Sequence, residues 1–319
     1  MRSARAIAAG LAVAALATLA SGCGSDGASP IAAAGVEPQP RGAITIAVPA
    51  PPHELDPLLA SAPVDRLVTR QLYEPLVERL SGPYDDVRQL PGLALSIQPS
   101  DGGRLWRIRL RSGIRFQDGS PFEASAVVAN AERWRTTAAG EALLPGLAAA
   151  DAPRPDLVRL IFDPALPDLR RRLASLRLGI VSPSALRPRS GIDAKLASSG
   201  GAGTGAFTLR PGTGASAVLA RNTGWWGTPH GLGPAFDQIG LRVVPSANQR
   251  LRLLRRGDVE AAWGLPAAVA SRLRRDPLLS GLPAPGGASI GLERSVRGIE
   301  AANPPPRLSA VWLTRIGTG

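Results

Sequence analysis

Ser289 stands in a G-x-S-x-G pattern, residues 287–291 (GASIG), which has the spacing of a nucleophile elbow. A serine hydroxyl is a weak nucleophile unless an adjacent base accepts its proton. In enzymes built on this turn, an acid and a histidine follow the serine along the chain. No histidine and no aspartate follow Ser289, and the only acids after it are Glu293 and Glu300. The pattern therefore does not favour a hydrolase, and we predict no catalytic residues.

Metal chemistry is equally poorly supported by the residue types. His53 and His230 are the only histidines and are far apart in the chain, and Cys23 is the only cysteine. A zinc site takes three or four such ligands at characteristic spacings. Carboxylates alone can bind a hard cation, but no group of them occurs at ligand spacing. We predict no metal site.

A glycine-rich segment at residues 199–206 (SGGAGTGA) invites comparison with a dinucleotide-binding loop. That loop must open a helix and carries a third glycine, where this chain has Ala206. The segment instead leads into residues 207–210 (FTLR), whose β-branched and aromatic content predicts a strand. We therefore expect no nucleotide and no other cofactor.

The most regular pattern in the chain lies in residues 92–122. Asp101, Gly102 and Gly103 predict a hairpin turn, because glycine adopts the positive φ angles that such turns need. In the strand that follows, Trp106, Ile108 and Leu110 alternate with three arginines, so the apolar side chains share one face. Further along, Ser246 and Gly257 have the residue types of the start and the end of a helix.

This order of turns and strands resembles the signature region of family 5 of the bacterial extracellular solute-binding proteins, the dipeptide and oligopeptide binders of ABC importers. Five other blocks are similar to the family: residues 72–77 (LYEPLV), 90–94 (LPGLA), 203–207 (GTGAF), 222–227 (NTGWWG) and 257–262 (GDVEAA). The resemblance extends from about residue 41 to residue 279. Ile97, Gln117 and Ala126 depart from the Trp, His and Asp that are usual in the family, and we expect all three to be scaffold positions.

The resemblance implies an α/β fold of two lobes like the type II periplasmic binding proteins, with mixed sheets. Lobe I is expected to be discontinuous, with residues 42–64 plus 200–319, and lobe II to be an insertion at 65–199. Longer members of the family continue past the equivalent of about residue 279 with a further domain. The resemblance thus implies a short form without the large C-terminal domain, which is either a natural short form or a truncated reading frame.

The N-terminus predicts export. Arg2 and Arg5 precede an apolar run at residues 6–20, which is shorter than the roughly 20 residues that span a bilayer and typical of a signal peptide. The run ends in Leu-Ala-Ser-Gly before Cys23, which resembles the lipobox of bacterial lipoproteins. That resemblance implies residues 1–22 as a lipoprotein signal and Cys23 as the lipidated residue. The alternative is an ordinary signal peptide cut near Gly22. Residues 24–41, rich in Gly, Ser, Ala and Pro, predict a flexible tether.

The formal net charge is +12, carried almost entirely by arginine. A basic chain can bind nucleic acid, but an exported protein rarely has one as its target, so we predict no nucleic-acid partner. Attraction to an anionic membrane surface is the more plausible consequence. The simplest interpretation is a high-GC codon preference combined with a solvated surface.

The family resemblance implies a solute held in a cleft between lobes. The loop after the first strand, residues 49–56, is expected to face that cleft, because ligands of open α/β sheets bind beyond the strand ends. We name three ligand-binding candidates: His53, Tyr73 and Trp263. The structural alternatives are an exposed loop histidine for His53, helix-face packing for Tyr73 and core packing for Trp263. Trp225 and Trp226 are expected to be packing residues.

The sequence thus predicts a monomeric, lipid-anchored protein on the extracytoplasmic face of the membrane. It would capture a peptide or other small-molecule ligand and deliver it to the permease subunits of an ABC importer, without catalysis. A second hypothesis is a degenerate lipoprotein that uses the same scaffold for protein interaction or envelope sensing.

Lipidation is tested by Cys23→Ser. We expect this variant to leave the membrane fraction, because stable anchoring needs more than one acyl chain and no other cysteine can carry them. Fractionation followed by immunoblotting measures the effect, with Ser25→Ala as the control. Full membrane retention of Cys23→Ser would contradict the prediction.

Overall fold

Two β-sheets carry most of the chain that the computed structural model describes. The described residues are 42–81, 87–187, 191–192, 202–211, 217–228, 234, 236–266, 279–282 and 290–294, and they lie in one compact unit. The strands are β1 (Ala43–Val48), β2 (Val77–Ser81), β3 (Val87–Pro91), β4 (Ala94–Ser100), β5 (Leu105–Leu110), β6 (Leu147–Arg154), β7 (Leu157–Phe162), β8 (Leu186–Arg187), β9 (Gly191–Ile192), β10 (Phe207–Pro211), β11 (Ala217–Arg221), β12 (Gln238–Val243), β13 (Ala261–Leu265), β14 (Leu279–Leu282) and β15 (Ile290–Arg294). The helices are α1 (Pro63–Leu72), α2 (Ala124–Thr136), α3 (Ala138–Leu143), α4 (Leu169–Arg172) and α5 (Ala247–Arg256).

The larger sheet is mixed, with the strand order β10-β11-β12-β1-β13-β15-β14. β1 runs parallel to both of its neighbours, β12 and β13, and the other pairs are antiparallel. The carboxyl ends of β12, β1 and β13 therefore meet at one edge, which we call the ligand edge. It comprises residues 49–53, 244–246 and 264–266.

Helices cover both faces of this sheet, because the side chains of β1 alternate between two hydrophobic clusters. Ile46 and Val48 pack in the cluster that contains α1, and Ala47 packs in the cluster that contains α5. The predicted limits of α5 are confirmed. The hydroxyl of Ser246 accepts from the Gln249 N–H at 3.4 Å, and Gly257 ends the helix at φ +79°.

Aspartate is a residue type that favours a helix N-cap, so Asp65 predicts a helix that starts just after it, but α1 begins earlier. Pro63 is its first residue. Proline is favoured at this position because its fixed φ suits a helix and because the first N–H of a helix has no intrahelical acceptor, so its absence in proline loses no hydrogen bond. Asp65 is instead buried in the first turn, where its carboxylate accepts from the His53 N–H at 2.8 Å. The helix end is thereby tied to the loop that follows β1.

The smaller sheet is antiparallel, in the order β4-β5-β7-β6. The predicted hairpin is confirmed: β4 and β5 are joined through a tight turn in which Gly102 and Gly103 both have positive φ. Trp106, Ile108 and Leu110 of β5 are buried, as the alternation predicts. Helix α2 packs on this buried face through residues that include Trp134.

The chain crosses from one sheet to the other along residues 72–77 and returns along residues 202–207. The two segments are in direct contact, since Gly205 N–H donates to the Leu72 carbonyl at 2.9 Å. No side chain fits between them: a Cβ at Gly203 would lie 1.9 Å from the Leu72 carbonyl oxygen. Glycine is required here for close approach.

Gly203→Ala tests this contact. We expect a loss of roughly 3 kcal/mol of unfolding free energy, because the added methyl overpacks against backbone rather than a movable side chain. Gly224→Ala is the matched control, since the nearest atom to its Cβ would lie 3.7 Å away. Its effect should stay within about 0.5 kcal/mol. Urea unfolding measures the stability of both variants, and equal midpoints for Gly203→Ala and Gly224→Ala would contradict the packing argument.

Candidate ligand site

The ligand edge is formed by loops that leave three parallel strands, the position where open α/β sheets bind ligands. His53 lies in the loop after β1 with an exposed side chain, and its backbone N–H binds Asp65. The structure thus places the imidazole at the edge and free to reach solvent. Its role as a ligand contact stays a prediction.

The same loop is braced by a buried ion pair. Asp56 is 2% exposed and its carboxylate accepts from the Arg133 guanidinium, which reaches it from α2 beneath the smaller sheet. The other Asp56 oxygen accepts from the Leu58 N–H at 2.9 Å. The Asp56 N–H in turn donates to the Glu54 carboxylate at 2.8 Å. Sequence reasoning missed this pair because its partners are 77 residues apart.

Tyr73 occupies a slot whose walls are glycines. A Cβ at Gly179 would lie 2.8 Å from the Tyr73 Cβ, and one at Gly203 would lie 2.9 Å from its ring. The residue is buried, and its hydroxyl has no hydrogen-bond partner within the described residues. Burial, reinforced by the nearby Asp56 carboxylate, raises the pKa of this hydroxyl, which therefore stays protonated.

Trp263 lies on β13 and is buried in the same cluster as Tyr73. Its indole N–H also has no hydrogen-bond partner in the described part of the chain. The strand is irregular between Ala262 and Leu265, where Gly264 has φ +70°. Two of the three candidates thus share one cluster, and each carries a buried donor without an acceptor among the described residues. Buried polar groups in proteins are nearly always satisfied, so these two need explanation.

Sequence reasoning assigned no role to Glu74, whose buried carboxylate joins three segments. It accepts from the Thr204 hydroxyl at 2.9 Å, from the Trp225 indole N–H at 3.2 Å and from the Trp226 indole N–H at 2.8 Å. The two tryptophans are therefore hydrogen-bonded packing residues rather than purely apolar ones. Glu74 and the two tryptophans lie in two of the family-like blocks, residues 72–77 (LYEPLV) and 222–227 (NTGWWG). Nothing in the sequence, however, shows that these two blocks are in contact.

Arg111 connects this cluster to the smaller sheet. Its guanidinium lies 4.9 Å from the centre of the Trp226 ring, and its Nε donates to the Gly92 carbonyl at 2.7 Å. Burial lowers the pKa of Arg111, while the Glu74 carboxylate acts in the opposite direction. Arg107 and Arg109 are exposed, as the alternation predicts. Arg111 is half-buried and is therefore the exception among the three arginines.

Gln117 is also part of the crossing. Its amide nitrogen donates to the Phe207 carbonyl at 2.7 Å and to the Gly205 carbonyl at 3.2 Å. Its backbone N–H donates to the Gly203 carbonyl at 2.8 Å. Ile97 and Ala126 are buried in the core of the smaller sheet. All three departures from the family pattern are therefore scaffold positions, as predicted.

Asp118 gathers three serines next to the crossing. Its carboxylate accepts from the hydroxyls of Ser120, Ser182 and Ser184 at 2.5–2.6 Å. Partial burial raises the pKa of Asp118, but these hydrogen bonds and the Ser120 N–H outweigh burial and leave the pKa below its usual value. The cluster holds the loop after β5 against the segment that leads to residue 202.

Other kinds of site find no support in the described ranges. No three His, Cys, Asp or Glu side chains converge there as metal ligands would. No helix among these residues has the length and apolar character to cross a bilayer. Cys23, His230 and Ser289 lie outside the described residues, so lipidation stays a prediction.

The layered α/β architecture, with parallel strands at the centre of the larger sheet, is that of the type II periplasmic binding proteins. NikA from Brucella suis, solved with Fe(III)-EDTA, matches with a TM-score of 0.63 and 25% identity over 76% of this chain. DppA from Helicobacter pylori, solved with the peptide STSA, matches with a TM-score of 0.61 and 20% identity over 75% of this chain. The predicted fold class is confirmed.

The family is established by the sequence. The family described as "Bacterial extracellular solute-binding proteins, family 5 Middle" matches residues 89–297, so the chain belongs to family 5 of these proteins. The probable D,D-dipeptide-binding periplasmic protein DdpA of Escherichia coli K12 is 28% identical over 253 residues, which are 77% of this chain and 47% of DdpA. The chain likewise covers 48% of NikA and 50% of DppA. It spans about half the length of the relatives it matches.

The Asp118 cluster gives a pH prediction. Because the pKa of Asp118 is lowered on folding, its contribution to stability is present above the unfolded value of about 3.9 and is lost as pH falls through the folded value. The stability difference between wild type and Asp118→Asn should therefore be constant from pH 6 to 8 and shrink below about pH 4. Urea unfolding across this range measures it. Ser184→Ala should show the same trend with a smaller amplitude, and a pH-independent difference would contradict the assignment.

Proposed function

We propose that this protein is the extracytoplasmic solute-binding component of an ABC importer and that it binds its solute at the ligand edge. The observation that carries the proposal is the pair of buried donors, the Tyr73 hydroxyl and the Trp263 indole N–H, within a family of solute binders. Both donors can be satisfied by a polar group of a bound solute. His53, exposed in the adjacent loop, is the third proposed contact.

The solute is proposed to be a peptide or another small polar molecule. The relatives differ in what their names state: a D,D-dipeptide for DdpA, Fe(III)-EDTA for the solved NikA and a peptide for the solved DppA. These ligands share carbonyl or carboxylate oxygens, which are acceptors for the two donors. A panel of short peptides and metal chelates therefore covers the chemistry that the site can recognise.

Capture is proposed to involve closure between lobes, with lobe I formed by residues 42–64 and 200–319 and lobe II by residues 65–199. Helix α1 packs in the hydrophobic cluster of the larger sheet, which favours grouping it with lobe I. The solute-loaded protein would then dock as a monomer on the permease. The mechanism requires no catalytic step, in keeping with relatives that are named as binding proteins.

We further propose that Cys23 carries a lipid anchor and that the protein works at the extracytoplasmic face of the membrane. A second candidate function is a degenerate lipoprotein that binds another protein through the same scaffold. The two candidates differ in one measurable property, because only the first requires a small-molecule ligand.

A thermal-shift screen of the mature protein against the peptide and chelate panel separates them. At 100 times Kd a ligand adds about 2.7 kcal/mol to the unfolding free energy, so a true solute raises Tm by several degrees. We expect at least one peptide to do so. The absence of a shift across the panel would refute the transport proposal and favour the second candidate.

Tyr73→Phe tests the proposed contact. Its apo stability should equal or slightly exceed that of wild type, because the hydroxyl it loses has no partner in the described residues. Its affinity for the best peptide should fall about 2- to 10-fold, the equivalent of one hydrogen bond of about 0.5–1.5 kcal/mol. Urea unfolding measures the apo stability and calorimetric titration measures the affinity. Tyr84→Phe, the same change at the chain's other tyrosine, is the control. An unchanged affinity would remove Tyr73 from the site.

A further inference from the structure

Arg250 is a buried cation at the start of α5. It is 2% exposed, and its guanidinium donates to three backbone carbonyls: Val244 at 2.6 Å, Pro245 at 2.7 Å and Gly264 at 2.7 Å. No carboxylate of the described residues lies within ion-pair distance of it. Burial lowers the pKa of its guanidinium, as expected for a charge taken out of water.

The three carbonyls belong to the ends of two different strands. Val244 and Pro245 follow β12, and Gly264 lies at the end of β13, so Arg250 joins the two strands that flank β1. The end of β1 is held in the same place. Val244 N–H donates to the Val48 carbonyl at 2.7 Å, and a Cβ at Gly264 would lie 3.2 Å from the Pro49 ring. The guanidinium therefore binds the ends of β12 and β13, and the end of β1 lies against both of them.

Packing alone does not explain an arginine at this position. A buried charge without an ion-pair partner is costly, and an apolar side chain would fill the space at lower cost. What arginine adds is a planar fork of donors with fixed spacing, which can bind several carbonyls at once. A lysine ammonium is a single point on a flexible stem and cannot hold carbonyls on two strand ends in the same geometry.

We propose that Arg250 is a positioning residue for the ligand edge. By fixing the distance between the ends of β12 and β13, it sets where Pro49 enters the loop that carries His53 and how the irregular end of β13 presents Trp263. This inference rests on the proposed function, because it assigns Arg250 to the solute site although its side chain does not reach the solute.

Hydrogen exchange tests the positioning role without any ligand. The amides of His53 and Asp56 are suitable reporters, since they donate to Asp65 and Glu54 at 2.8 Å. In Arg250→Lys we expect these amides to exchange at least 10-fold faster, while the amides of β5 and β7 keep their wild-type rates. Val158→Ala, in the core of the smaller sheet, is the control and should give the opposite pattern. If Arg250→Lys does not fold, Arg250→Gln, which keeps one amide donor, replaces it.

Binding of trialanine, measured by calorimetry, tests the consequence for the site. If trialanine binds wild type, Arg250→Lys should weaken it at least 10-fold, and Val158→Ala should leave it unchanged. If trialanine does not bind wild type, exchange alone decides the positioning role, while the wider panel decides the proposed function. Wild-type exchange rates at His53 and Asp56 in the Arg250 variant, or equal acceleration throughout the chain, would overturn the inference.

Discussion

The buried carboxylate of Glu74 is the interaction on which the relation of the two sheets depends. A carboxyl group that is 2% exposed is stable only if hydrogen bonds replace its hydration. Thr204 supplies one donor from the returning crossover, and Trp225 and Trp226 supply two more from a later turn. Because removing any donor leaves a buried acceptor poorly satisfied, the three segments are held together cooperatively.

The polar groups of the scaffold and those of the ligand edge differ in one respect. Glu74, Gln117 and Asp118 each make several hydrogen bonds within the protein, and they lie where the chain crosses between sheets. Tyr73 and Trp263 are buried, as Glu74 is, but their donors find no acceptor among the described residues. These two donors lie in the same hydrophobic cluster. The proposed function requires such donors, because the specificity of a binding site comes from a few placed polar groups in an apolar surrounding.

The loop after β1 is held from three directions. Asp65 of α1 binds the His53 backbone, Arg133 of α2 binds Asp56, and Arg250 of α5 fixes the strand ends from which the loop departs. These elements belong to different layers of the fold. Under the proposed function, a loop supported in this way would lose little conformational entropy on solute binding, which favours affinity. It also couples the edge to the smaller sheet through the Asp56–Arg133 pair.

The sequence by itself determined the local structure and the family. Alternation fixed the buried face of β5, Ser246 and Gly257 bounded α5, and the ordered blocks identified a solute-binding protein, because these signals depend on neighbours along the chain. Only the tertiary structure decided which polar residues meet. Asp65 binds the His53 loop instead of capping α1, Arg111 turns inward to Trp226, and Arg250 spans two strand ends. Such contacts join residues far apart in the chain, so no local pattern encodes them.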